Sequence, residues 1–251
     1  MSGFSGQGKV NVGFRQANGQ PGLLRWIGNA SKFVLSLTED DSQRSESFSG
    51  NRLPYRQMTK TRRGELSIIF DEFSKENLAL MSIANVSEVP AGNAVQDYAF
   101  PIGAKVGNIL AAPAKNLSLV SVQDSGAATL AVGVNYLLNA FAGNVELINL
   151  TTGGPFVQPF KMDFTPGAVT KIGAFNRAVQ DVYIQFEGIN TDDGTPIVAD
   201  IYRSRLKPAK EFAFINDDYA DFELTGSVLA DLTRTASSAE GQFYSITLPT
   251  A

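Results

Sequence analysis

At 251 residues, 43% hydrophobic and 18% charged, the composition is that of a globular protein, long enough for one large β-domain or two small ones. A formal net charge of −4 excludes a basic nucleic-acid binder, which needs clustered Lys and Arg to neutralise phosphate. Cysteine and histidine are both absent, which excludes disulfides, thiolate or imidazole metal sites and Cys- or His-based catalytic pairs.

The chain opens on a small, polar segment, Met1 to Gly8, without the charged and apolar regions of a signal peptide. Gly3 to Lys9 spells the phosphate-loop pattern G-x-x-x-x-G-K. However, Val10 stands where a Ser or Thr should hold magnesium, no strand precedes the motif, and Lys9 to Gly13 continues as a strand. A flexible, Gly-rich N-terminal arm over about residues 1–8 is the reading. Ala17 to Gly22 is a turn, and Trp26 lies inside a strand-like run. Glu39-Asp40-Asp41 interrupts Lys32 to Ser49 and reads as a hairpin tip. Ser42 to Ser49 is polar on both faces, which fits a strand with water on one side and another subunit on the other, or else a loop. Arg52, Arg56, Lys60, Arg62 and Arg63 gather around Tyr55. Glu46 and Glu65 dilute the patch, which points to a salt-bridging surface or subunit contact.

From Arg63 to Asp71 the pattern alternates, with Leu66, Ile68 and Phe70 on one face, as in a half-buried antiparallel strand. One helix follows, with Ser74 as cap, Glu76 in its first turn, and Leu78, Leu80, Met81 and Ile83 as its apolar side. Val86 to Pro90 ends it. The Ala/Gly/Pro-rich stretch Val89 to Pro113 and the Gly/Pro-rich stretch Thr151 to Pro166 flank strand-like Leu117 to Val122, Leu130 to Leu138 and Asn144 to Leu150. Val182, Ile184 and Phe186 share one face of a further strand. Ile189 to Pro196 is a hairpin turn. In Tyr219 to Leu232, the residues Phe222, Leu224, Val228 and Leu232 form one face, opposite Asp221, Glu223, Thr225, Ser227 and Asp231. The carboxylate pairs Asp40-Asp41, Asp192-Asp193 and Asp217-Asp218 read as solvated turns, because adjacent residues seldom face each other across a pocket. No apolar stretch reaches the ~20 residues of a membrane span, so a soluble protein made in a cytoplasm is expected.

Five segments carry a resemblance: F-S-G-Q-G-K-V (Phe4 to Val10), L-L-R-W-I-G-N (Leu23 to Asn29) after Pro21-Gly22, E-S-F-S-G-N-R (Glu46 to Arg52), E-L-S-I-I-F-D-E-F-S-K-E-N-L-A-L (Glu65 to Leu80) and Y-A-D-F-E-L-T-G-S-V-L-A-D (Tyr219 to Asp231). In that order they resemble the tail tube protein, or major tail protein, of long-tailed bacteriophages. The middle matches loosely, around Val134-Asn135-Tyr136 and Gly143-Asn144-Val145.

The resemblance implies a mainly β fold, an antiparallel β-sandwich or small barrel with one flanking α-helix. It implies a single tail tube domain over 1–251, with the arm at about 1–8 and an elaborated middle region at about 85–165. Its function would be structural: hexameric rings stacked into a hollow tube that conducts DNA into the host. Its partners would be further copies of itself, a tape-measure protein in the lumen, tail terminator and baseplate or tip proteins, and phage DNA passing through without sequence-specific binding. The location would be the virion tail, assembled in the bacterial cytoplasm, with no cofactor, no metal, no catalytic residue and no membrane insertion. Glu39, Asp40, Asp41 and Arg44 would contact a neighbouring subunit or ring. Glu46 is favoured as lumen lining, with Asp221 and Glu223 as the other possibility. Two rivals stand beside this reading: a carbohydrate- or receptor-binding β-sandwich of a phage fibre or baseplate, and a hydrolase working with carboxylates alone.

Overall fold

In a computed structural model, residues 3–250 are described, and the alternation of Leu66, Ile68 and Phe70 becomes the inner face of the longest strand. In chain order the elements are β1 (Gly6–Phe14), β2 (Arg25–Trp26), β3 (Ala30–Ser45), β4 (Pro54–Phe70) and α1 (Lys75–Met81). Then come β5 (Val86–Val89), β6 (Val95–Ala99), β7 (Ile109–Ala111), β8 (Leu117–Gln123), β9 (Thr129–Leu130), β10 (Tyr136–Asn139), β11 (Asn144–Leu147), β12 (Lys161–Pro166) and β13 (Val169–Ile172). The chain ends with β14 (Val182–Asn190), β15 (Pro196–Leu206), β16 (Phe222–Val228) and β17 (Tyr244–Thr247). Strands hold 47% of the chain and helix 3%, and the sheets are antiparallel, so the fold is mainly β, of the β-sandwich class, with one helix.

The chain divides into two compact units. Unit 1 is built from residues up to Asn85 together with those from Ile172 onward, and unit 2 is Val86–Lys171.

Unit 1 is one eight-stranded sheet in the order β2-β1-β14-β15-β16-β4-β3. The same edge of β15 accepts β17 along Val198–Ile201 and β16 along Ser204–Leu206, so the sheet forks there. Its core joins Val10, Ile68, Phe70, Ile184, Ile201 and Leu224 from five strands. Ser74 caps α1 by accepting a hydrogen bond from the Asn77 amide at 3.2 Å, as its position predicts. The helix docks through a polar anchor: buried Asn77 donates through Nδ2 to Ile27 O (2.7 Å) and Glu72 O (3.0 Å), and its Oδ1 accepts from Arg25 (2.7 Å).

Three expectations are corrected. Gly6 to Gly8 belong to β1, in register with β14, rather than to a flexible arm. A Cβ at Gly8 would sit 2.2 Å from Glu187 O, so this glycine permits close strand contact. Met1 and Ser2, also assigned to the arm, lie outside the described residues. Glu39-Asp40-Asp41 is not a hairpin tip but the middle of β3, opposite Arg62, Thr61 and Thr59. Finally, β16 ends at Val228 and the alternation does not continue, so Asp231 is buried and Leu232 is 79% exposed, the reverse of the expected faces.

Unit 2 has its own core. The three-stranded sheet β10-β11-β7 and the four-stranded sheet β6-β12-β8-β9 contribute Val122, Leu130, Val145, Leu147, Met162 and Phe164 to one cluster. A ribbon of β5 and β13 pairs the two ends of the segment. Polar anchors hold its loops. Asp124 accepts from the Gly126, Ala128 and Val157 amides at 2.8–2.9 Å, and these bonds, that from Val157 foremost, hold its carboxyl below the usual range.

Candidate functional site

The feature of unit 1 that the core does not explain is the hairpin of β3 and β4. Up to Leu37 and Gly64 these strands carry side chains that pack inward. Beyond, from Thr38 to Ser45 and from Pro54 to Arg63, nearly every residue is exposed on both faces. Eight residues of β3 at ~3.3 Å each make this arm roughly 26 Å long.

Cross-strand pairs hold it together. Arg62 lies 3.6 Å from Glu39, and Arg63 3.1 Å from Asp40, which also accepts from Thr61 at 2.9 Å. Glu39 accepts from Thr59, and Asp41 from Gln57. A bulge between Asp40 and Asp41 admits Lys60 as the extra residue. The three acids expected to bridge subunits therefore already have partners within the arm. Arg44, grouped with them, stands directly opposite Arg56, a like-charge pair that weakens a ribbon by itself.

The tip is a turn built on Glu46. Its amide donates to Leu53 O (2.9 Å), and its carboxylate accepts from the Phe48 and Ser49 amides (3.0 and 2.9 Å) and from the Ser49 hydroxyl. These bonds, the Ser49 hydroxyl first, lower its pKa. Glu46 is 8% exposed, so the polar strand read at Ser42 to Ser49 is half strand and half turn, and its carboxylate points into the turn. At the tip stand exposed Phe48 (81%), Leu53 and Tyr55, with the rings of Phe48 and Tyr55 meeting edge to face at 6.3 Å.

Asp221 and Glu223 lie elsewhere. Glu223 is on the exposed face of β16 opposite Ile69 and accepts from Ser67 at 3.1 Å, and Asp221 is exposed just before the strand. Between Ile69 and Leu53, which faces Glu46, run fifteen residues of extended chain, roughly 50 Å. The structure thus does not bring the three expected lining residues together.

Sequence reasoning missed two features. One is the loop between β15 and β16. There Phe214, Ile215 and Tyr219 are 92%, 94% and 96% exposed, next to Glu211, Asp217, Asp218 and Asp221. The run A-F-I-N-D-D-Y, apolar beside acidic with no strand period, was its signal. Phe212 anchors this loop against Phe222, and Phe73, Leu78, Phe212, Phe214 and Phe222 border a groove of about 540 Å³.

The other is an ion cluster around Asp231, which accepts from Arg15 (2.6 Å) and Thr233 (2.7 Å). The Arg234 guanidinium lies 3.7 Å away from it and 3.6 Å from the Tyr202 ring centroid. Burial raises the Asp231 carboxyl, but Thr233 and Arg15 outweigh it and leave the pKa low. This cluster ties the end of β1 to the chain after β16.

Among the described residues no group of three or more acidic side chains could hold a metal ion, and no helix is long and apolar enough to cross a membrane. No curated protein matches the chain. The chain belongs to the family described as "Protein of unknown function UCP028589", whose sequence model matches residues 3–247.

Proposed function

We propose that the chain is a structural protein that binds copies of itself in rings of six, stacked into the tail tube of a long-tailed bacteriophage. One observation carries this reading: the arm of β3 and β4, a two-stranded ribbon exposed on both faces over roughly 26 Å. Such a ribbon is marginal in water on its own and gains stability when a partner covers it. β3 is also the edge of the sheet, with a row of backbone groups free to pair along its length. The resemblance of residues 4–80 and 219–231 to tail tube proteins supplies the identity of the assembly, which exposure alone would not.

In this reading the virion tail is the site of action and the role is not enzymatic. Further copies, a tape-measure protein, tail terminator and baseplate proteins are the partners, and phage DNA passes through the lumen. Acidic side chains suit that lumen, because basic ones would bind the DNA phosphates and slow passage. Glu223, on the exposed face of β16, fits this role better than Glu46, whose carboxylate is engaged in the turn.

Electron microscopy of the purified protein tests the proposal. Rings or tubes support it. A strictly monomeric species at high concentration, with time and salt varied, overturns it, and glycan binding by such a monomer would favour the fibre-module rival.

A further inference from the structure

The arm is charged unlike the rest of the molecule. Thr38–Arg63 carries six basic and four acidic side chains, a formal +2, in a chain of −4 overall, which leaves −6 for the remainder. The four acids of the arm are all engaged within it, whereas Arg44, Arg52, Arg56 and Lys60 are exposed and meet no carboxylate among the described residues. The β15–β16 loop is the reverse: Glu211, Asp217, Asp218 and Asp221 outnumber Lys207 and Lys210, a formal −2, and all six are exposed. The four carboxylates form no ion pair among the described residues. Each surface also shows bare aromatic side chains at its centre, Phe48 and Tyr55 on the arm, Phe214 and Tyr219 on the loop. An arm of net positive charge with an apolar tip thus matches a loop of net negative charge beside an apolar groove.

We infer that the arm tip of one copy docks on the β15–β16 loop of another, with Phe48 in the groove beside Phe214 and Phe222. The inference rests on the self-assembly reading above and names the surface that it uses. The two surfaces lie toward opposite ends of β4. The loop leads into Phe222, which pairs with Phe70 at one end of β4, while the tip lies beyond Pro54 at the other, roughly 50 Å along the same ribbon. Donor and receptor are different patches of one chain, so the contact runs head to tail and propagates into a ring or a filament. Desolvating exposed aromatic side chains supplies affinity, and the opposed charges set register and partner choice.

The chain has no cysteine, so single introduced thiols report contacts without background. Ser47→Cys and Asn216→Cys, both at exposed positions, are mixed, allowed to assemble and treated with a short bis-maleimide. A mixed cross-linked dimer well above that from either variant alone is expected. In parallel, Arg52→Glu with Arg56→Glu should weaken association by about tenfold or more, as should Asp217→Lys with Asp218→Lys. The chain carrying all four changes should regain association. Assemblies that form without the mixed cross-link, or without rescue in the fourfold variant, overturn the docking surface and leave the tube reading standing. A parent protein that never associates overturns both.

Discussion

The rings of Phe33 on β3 and Phe186 on β14 lie 6.2 Å apart at 47°, although β15, β16 and β4 separate their strands in the sheet. Two positions so distant in strand order meet only because the sheet folds over, laying its β4-β3 wing across β1 and β14. The core of unit 1 is the space enclosed by that fold.

Phe186→Ala should therefore loosen the two wings. Both rings are half-buried, so the expected loss is about 2 kcal/mol, below the roughly 3–5 kcal/mol of a fully enclosed Phe. Trp26, the only tryptophan, lies in unit 1, so its fluorescence through a guanidinium titration follows that unit. A midpoint unchanged from the parent would refute the packing of the wings.

Asp231→Ala removes the acceptor that Arg15 and Thr233 share and leaves the Arg15 guanidinium without its carboxylate, while Arg234 keeps Glu240. Breaking a buried pair on one side costs about 3 kcal/mol. The same titration should show that loss, and an effect below about 0.5 kcal/mol would mean that the cluster contributes nothing net.

Acid should act through Asp231 and through a second paired carboxylate, Asp181, which accepts from Arg203 and Arg205. Burial raises the Asp181 carboxyl, but Arg203 and Arg205 outweigh it, and Asp231 is lowered in the same sense, both below the ordinary 3.8. A carboxylate with a folded pKa below its unfolded one stabilises fully above the unfolded value. That stabilisation is lost as pH falls through 3.8 towards the folded value. Stability should be flat above about pH 5 and fall steeply below pH 4. In Asp231→Asn the fall should be shallower, and an identical slope in variant and parent would remove Asp231 from the acid response.

Shortening the arm separates folding from assembly. Replacing Asp41 to Lys60 with Asn-Gly joins Asp40 to Thr61, an existing cross-strand pair, through a two-residue hairpin turn. The melting temperature should change little, because the removed residues contribute nothing to the core. Light scattering should show the loss of large species. Tubes from the shortened chain would exclude the arm from the interface.

Unit 2 should fold alone. Residues 86–171 are continuous in sequence, enclose their own cluster and bring their ends together through β5 and β13. The excised segment should unfold cooperatively and give dispersed amide resonances. A collapsed spectrum would show that unit 1 completes its core.

The face of a strand was legible wherever one side met the core. Leu66, Ile68 and Phe70 alternate with polar residues because the sheet has an inside there. The arm has no inside, so its sequence carries no period, and Asp40-Asp41 mimics a turn when in fact Thr61 and Arg63 satisfy Asp40 from across the ribbon. Asp231 departs from its expected face for a related reason: two-residue spacing persists past Val228 by chance, while the chain has already turned. The β15–β16 loop was overlooked because exposed Phe214 and Ile215 resemble core residues in composition and lack only the neighbours that would bury them. The loop that bears Glu211 and Asp218 thus combined two familiar signals, acidic turn and apolar run, that sequence rules treat separately.

Unit 2 is inserted between α1 and β14, so β1 must wait for a partner nearly 170 residues later in the chain. During synthesis, everything up to Asn85 emerges without the strand that β1 requires, while Val86–Lys171 already holds all of its own contacts. Once that segment has folded, the β5–β13 ribbon draws its ends together, and the loop that unit 1 must close shrinks from a long flexible tether to a short staple. Topology thus predicts an order of events on the ribosome: the insert should mature first, the flanking halves should meet last, and the edge of β1 that β14 covers should stay unpaired until β14 has left the exit tunnel.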